Sequence, residues 1–258
     1  MFSTKSIILK TANIIAFVLT LIVNSLAGST TLIGGRTTAD VSNQNPTMIT
    51  PAGYVFAIWG VIYILLGVFV VFQALPSQKG KDFQSKVGWL FILVSTLNIT
   101  WLFLWQNETL SLSVPIMFLL LASLIAIYLR LNIGKSREPL LEKLAVHTPF
   151  SVYLGWITIA SIANVAALLV SVSWDGFGIA AETWAILVIV VALLITLAVI
   201  VTRKDVAYTL VIVWALTGIA TNQAAHPNIV MTALAGTAIA ALSLAVIVLY
   251  STLKNRWV

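Results

Sequence analysis

Residues 151–170 read SVYLGWITIASIANVAALLV, twenty consecutive positions without a charged side chain. At a rise of 1.5 Å per residue such a helix runs about 30 Å, the thickness of a bilayer's hydrocarbon core. Lipid is the solvent this stretch suits. Yet Tyr153, Trp156, Ala160 and Asn164 step along it at i, i+3, i+7 and i+11, so they share one face. An indole NH and an amide within a span need a partner, because hydrocarbon offers none.

Two further apolar stretches repeat the pattern. Phe56, Trp59 and Tyr63 form one stripe, and Asn98, Trp101 and Trp105 form another. The whole chain suits the same solvent: of 258 residues 60% are hydrophobic and 9% charged, with a mean hydropathy of +1.05. A soluble domain carries about a quarter charged residues. Cysteine is absent, which excludes disulfides, thiolate chemistry and cysteine-ligated metal. The two histidines, His147 and His226, stand near span ends and could form a pair only if the fold united them.

Eight apolar runs of near-membrane length follow one another, at 7–27, 54–75, 87–105, 110–131, 146–172, 182–202, 206–221 and 228–250. The connections are short except 28–53, rich in Gly, Thr, Ser and Asn, and 130–146, which mixes charges. Assigning loops alternately to the two sides puts Lys5, Lys10, Lys79, Lys81, Lys86, Arg130, Lys135, Arg137, Lys143, Arg203, Lys204, Lys254 and Arg256 together. Only Arg36 falls opposite them. Cytoplasmic loops are the ones enriched in Lys and Arg, so both termini are expected in the cytoplasm. An odd number of spans would destroy this split. Lys5 and Lys10 before a run ending Ser25-Leu26-Ala27-Gly28 also resemble a cleavable secretory signal, but the run is long for a signal core and a retained helix is expected.

No Lys, Arg, Asp or Glu lies near the centre of any span. Proton pumps and many ion-coupled carriers need such groups, and a retinal photoreceptor needs a mid-span lysine. Phosphate-binding glycine loops and zinc-protease motifs are absent too. No catalytic or metal-ligating residue is assigned. What remains is neutral recognition by apolar contact, aromatic stacking and a few hydrogen bonds. The asparagines and aromatics can equally serve as interhelical glue, and that alternative stays open. Trp89, Trp174, Trp184, Tyr250 and Trp257 read as anchors at the membrane interface, and Trp214 lies deeper. Phe69 and Phe72 read as lipid-facing or core filler.

The same residues resemble the translocator protein family, also called tryptophan-rich sensory proteins or peripheral-type benzodiazepine receptors. Pro51-Ala52-Gly53-Tyr54-Val55-Phe56 leads into Trp59 and Tyr63, similar to the family's entry to its second helix. Asn98 and Trp101 match its third-helix Asn-x-x-Trp, and Tyr153, Leu154, Trp156, Ala160 and Asn164 match the spacing of its fifth helix. Leu104-Trp105 stands where the family carries an aromatic pair. The resemblance covers about residues 7–172 and implies a five-helix bundle, commonly dimeric, with a pocket opening toward the long loop. Family members bind tetrapyrroles and, in animals, cholesterol and benzodiazepine-type drugs. Transport, stress sensing and light-dependent porphyrin breakdown have been proposed for them.

The expectation is therefore an all-α integral membrane protein of eight transmembrane helices. Residues 1–172 would form a translocator-like bundle, and 173–258 a three-helix membrane extension that caps the pocket or covers the dimer surface of shorter relatives. The ligand site would comprise Trp59, Tyr63, Asn98, Trp101, Tyr153, Trp156 and Asn164. A receptor or carrier for a flat hydrophobic molecule such as a porphyrin is favoured, with no required cofactor and with lipid, that ligand and a second copy as partners. No nucleic-acid partner is expected. The alternatives are an assembly factor of a membrane complex and a light-dependent porphyrin-degrading enzyme. A bacterial plasma membrane is the expected location.

Overall fold

The computed structural model describes residues 4–254, and these are mainly helical with no strand among them. Eight long helices carry the fold: α1 (Thr4–Ser29), α2 (Ile58–Ala74), α3 (Leu90–Gln106), α4 (Leu110–Arg130), α5 (Thr148–Ser171), α6 (Ala181–Arg203), α7 (Val206–Asn222) and α8 (Pro227–Lys254). Six helical segments are long and apolar enough to cross a bilayer, while α3 and α7 are apolar but only 17 residues each. Each of those two spans about 26 Å, slightly less than the hydrocarbon core.

Local signals set the ends. Gly88 adopts φ +48 after the short helix Asp82–Val87, so the third long helix starts at Leu90 rather than at the expected 87. The second span splits into a 3₁₀ turn, Gly53–Ala57, and α2. A π-helical turn, Lys143–His147, leads into α5, whose first turn accommodates Pro149. Lys204 in the left-handed region and Asp205 as N-cap reverse the chain between α6 and α7 within two residues.

The first five helices close a ring in the order α1, α2, α5, α4, α3. On its outside, α7 packs along α5 and the Gly53–Ala57 turn, and α8 packs along α7 and α6. Small residues allow the closest approaches. A Cβ on Gly155 would meet the Tyr208 carbonyl and Val211 at 3.1 Å, and one on Gly236 would meet Leu216 at 3.3 Å. The packed face of α8 comprises Ala233, Gly236, Ala240 and Leu244, whereas Ala241 and Ala245 are exposed. A strict four-residue stripe from Ala233 drifts off the face because 3.6 residues complete a turn.

Phe69 and Phe72 belong to the core, beside Phe83, Phe91 and Phe150. The first helix is tied into the ring by polar contacts. Asn13 Nδ2 donates to Gln73 Oε1 at 3.0 Å, and Gln106 Nε2 donates to the Ala27 carbonyl at 2.6 Å. Trp257 lies outside the described residues.

Candidate functional site

Trp59, on the first turn of α2, is the hub of an aromatic cluster drawn from three helices. Its ring stacks on Tyr63 at 5.7 Å and on Trp101 at 6.4 Å between centroids, and meets Tyr153 and Trp156 edge-on at 6.1 Å. Trp101 stacks in turn on Trp105, and Phe56 meets Trp156 at 5.9 Å. Offset stacks and edge contacts are the arrangements that ring quadrupoles favour. The three stripes of the sequence thus converge on one volume.

The two asparagines act differently within it. Asn164 accepts from the Trp101 indole at 2.7 Å and donates to Ser113 Oγ at 2.8 Å, joining α5 to α3 and α4. Asn98 accepts from Asn24 Nδ2 at 2.7 Å, joining α3 to α1. Both therefore hold helices together. Two buried polar atoms nearby have no partner, Tyr63 OH and Trp156 Nε1. An unsatisfied buried donor costs about 1–3 kcal/mol, which makes such atoms worth an explanation.

A cavity of about 60 Å³ lies against the cluster. Trp59, Trp101, Trp105, Trp156 and Asn164 line one side, while Tyr63, Asn98 and Tyr153 sit behind that wall and do not line it. The other side is the long loop, which supplies Thr38, Ser42, Asn45, Thr47 and Thr50. No charged side chain lines the cavity.

The loop is a structured roof. A capping box of Thr37 and Asp40 starts the short helix Thr38–Gln44, and the Thr37 amide and hydroxyl hold the Asp40 carboxyl below the usual carboxylate range. Trp105 Nε1 donates to the Thr38 carbonyl at 3.1 Å, Gln106 Nε2 to the Arg36 carbonyl at 3.1 Å, and Arg36 pairs with Glu108. Gly34, at φ +64, passes so close to the Gln106 carbonyl that a Cβ would lie 2.2 Å from it. The far end of the roof is held by α7. There Gln223 Nε2 donates to the Thr47 carbonyl at 3.1 Å and Asn222 Nδ2 to the Thr50 carbonyl at 3.0 Å.

The translocator resemblance implies a five-helix bundle with a pocket toward the long loop, and here five helices form a ring with the tryptophan cluster and the loop at one end. A family model described as TSPO-like protein matches residues 9–248. The chain belongs to the TSPO-like protein family. That match runs from α1 into α8, so the last three helices lie inside the matched region instead of following it. No match was found among curated proteins or among solved structures.

Within this TSPO-like protein, Trp105 is a full cavity-wall residue, although the sequence there departs from the resemblance. The roof residues and the partners Asn24 and Ser113 escaped sequence reasoning, because short hydroxyl and amide side chains in a polar loop carry no periodic signal. Trp214, ambiguous by depth alone, donates to the Val55 carbonyl at 3.1 Å. His147 precedes α5 and His226 follows α7, and these parallel neighbours place the two at opposite ends of the bundle.

Proposed function

We propose that this protein is a membrane receptor or carrier that holds a flat, hydrophobic, largely neutral ligand, with a tetrapyrrole as the working choice, between the tryptophan wall and the loop roof. Trp156 carries the reading. Its ring forms part of the cavity wall, it is 3% exposed, and its indole NH has no protein partner. Trp101 and Trp105, by contrast, spend theirs on Asn164 and Thr38. A ligand acceptor at Trp156 would relieve a cost the fold otherwise bears. No cofactor is required by the reading.

The cavity is small against the roughly 300–1,000 Å³ of small-molecule sites. A tetrapyrrole therefore enters only when one wall yields. We place the protein in a bacterial plasma membrane with eight spans and both termini in the cytoplasm, as the lysine and arginine distribution favours. The first five helices then form the ligand-binding bundle and α6–α8 brace it from the α5 side, leaving the opposite side of the ring for a second copy.

The test is a fluorescence titration with protoporphyrin IX. Saturable tryptophan quenching in the wild type, lost in Trp156→Ala with folding intact, supports the site. Absence of saturable quenching favours a structural or assembly role, in which Asn98 and Asn164 act only as interhelical links. Flux into proteoliposomes then separates carrier from receptor.

A further inference from the structure

Three walls of the cavity are continuous helices whose backbone hydrogen bonds close within themselves. The fourth is the loop roof, and it is the wall able to move without breaking a helix. Its second half, residues 47–55, leans on α7. Besides the Gln223 and Asn222 amides on the Thr47 and Thr50 carbonyls, the Ala52 amide donates to the Gly218 carbonyl at 3.0 Å and the Trp214 indole reaches Val55. Ile49 is 7% exposed and fills an apolar seat shared with Ile159, Ile189, Leu216 and Ile219, where only about 10 Å³ stays open.

The other end of α7 is fixed independently of the roof. Asp205 caps the helix through the Tyr208 amide and accepts from Tyr128 OH at 2.8 Å and Ser151 Oγ at 2.7 Å, on α4 and α5. The roof thus hangs on a strut anchored to the bundle at its opposite end. Asn222 is exposed and Gln223 is buried, both stand at the C-terminal end of α7, and each gives a single side-chain bond to a backbone carbonyl. These two bonds can open without unpacking α7.

We propose that Asn222 and Gln223 are positioning residues of the ligand site, a latch through which the C-terminal helices set how fast ligand enters and leaves. The inference rests on the ligand-binding reading above. Releasing the latch lowers the barrier to roof movement, so both association and dissociation accelerate while affinity changes less.

The experiment uses full-length protein in nanodiscs with protoporphyrin IX and stopped-flow fluorescence. Asn222→Ala/Gln223→Ala raises the dissociation rate by about tenfold, as expected for two modest hydrogen bonds, while the protein still unfolds in one transition at a modestly lower temperature. A second readout needs no ligand. The chain has no cysteine, so the thiol introduced by Ile49→Cys reports roof opening through its maleimide-labelling rate, which rises by a similar factor when the latch is removed. Unchanged labelling and unchanged ligand rates in the latch variant overturn the proposal. Accelerated labelling in a protein that never shows saturable quenching upholds the latch and overturns the ligand reading alone.

Discussion

The Trp101 indole NH on α3 and the Asn164 carbonyl on α5 meet at 2.7 Å, both side chains buried, across 63 residues of sequence. The pair fixes the separation of two cavity walls, and Asn164 passes the link on to Ser113 of α4. Within the bilayer such a bond has few alternatives, yet measured interhelical bonds remain modest.

Replacing Asn164 by Ala is expected to destabilise the protein by about 1–2 kcal/mol, because it strands the Trp101 NH while Ser113 keeps its bond to the Leu110 carbonyl. Thermal unfolding in mild detergent measures it. An unchanged melting temperature would show that the indole finds another acceptor.

Trp101→Phe and Trp156→Phe should separate stability from binding. The first removes a satisfied indole bond and leaves Asn164 short of a donor, so it costs about 1 kcal/mol more than the second. The second removes the unpartnered donor and should weaken porphyrin quenching more. Equal effects of both on melting and on quenching would count against a special role for the Trp156 NH.

The cavity has no cationic lining, and Arg36, the one lysine or arginine in the loop 28–53, is paired with Glu108. A buried carboxylate without a partner is strongly disfavoured. Protoporphyrin dimethyl ester is therefore expected to bind at least as tightly as the free diacid. A marked preference for the diacid, abolished by Arg36→Ala, would instead place the propionates on that arginine.

Gly218 and Gly60 make a matched pair. A Cβ on Gly218 would lie 2.1 Å from Val55 Cγ2 and 3.3 Å from Pro51, whereas one on Gly60 meets nothing within 4 Å. Gly218→Ala should cost about 1–3 kcal/mol by overpacking the α7–roof contact. Gly60→Ala should be neutral or gain up to about 1 kcal/mol of helix propensity. Comparison of the two melting temperatures checks both.

Asp205→Ala removes an acceptor shared by three donors, from Tyr128, Ser151 and the Tyr208 amide. Loss of the cap and of two buried bonds is expected to cost about 2–4 kcal/mol. A loss below 1 kcal/mol would mean that α7 is held to the ring by apolar packing alone.

Much of this was legible in the chain. The span ends read from hydropathy agree with the helices within a few residues, and Trp59, Trp101, Trp156 and Asn164 reach the cavity as their spacing suggested. Tyr63, Asn98 and Tyr153 share the predicted faces but lie one layer deeper, because a helix face runs along the whole span whereas a cavity occupies one level of it. Trp105, the least patterned of the aromatics, is at that level.

Solvent, helices and charge asymmetry can be read along the chain, since a helix in lipid closes its own backbone hydrogen bonds and is therefore written in local windows of about twenty residues. That α7 holds the roof emerges from the folded molecule alone. Gln223 and Thr47 are 176 residues apart, and their bond uses a backbone carbonyl, an acceptor that every residue carries and no side-chain pattern can announce.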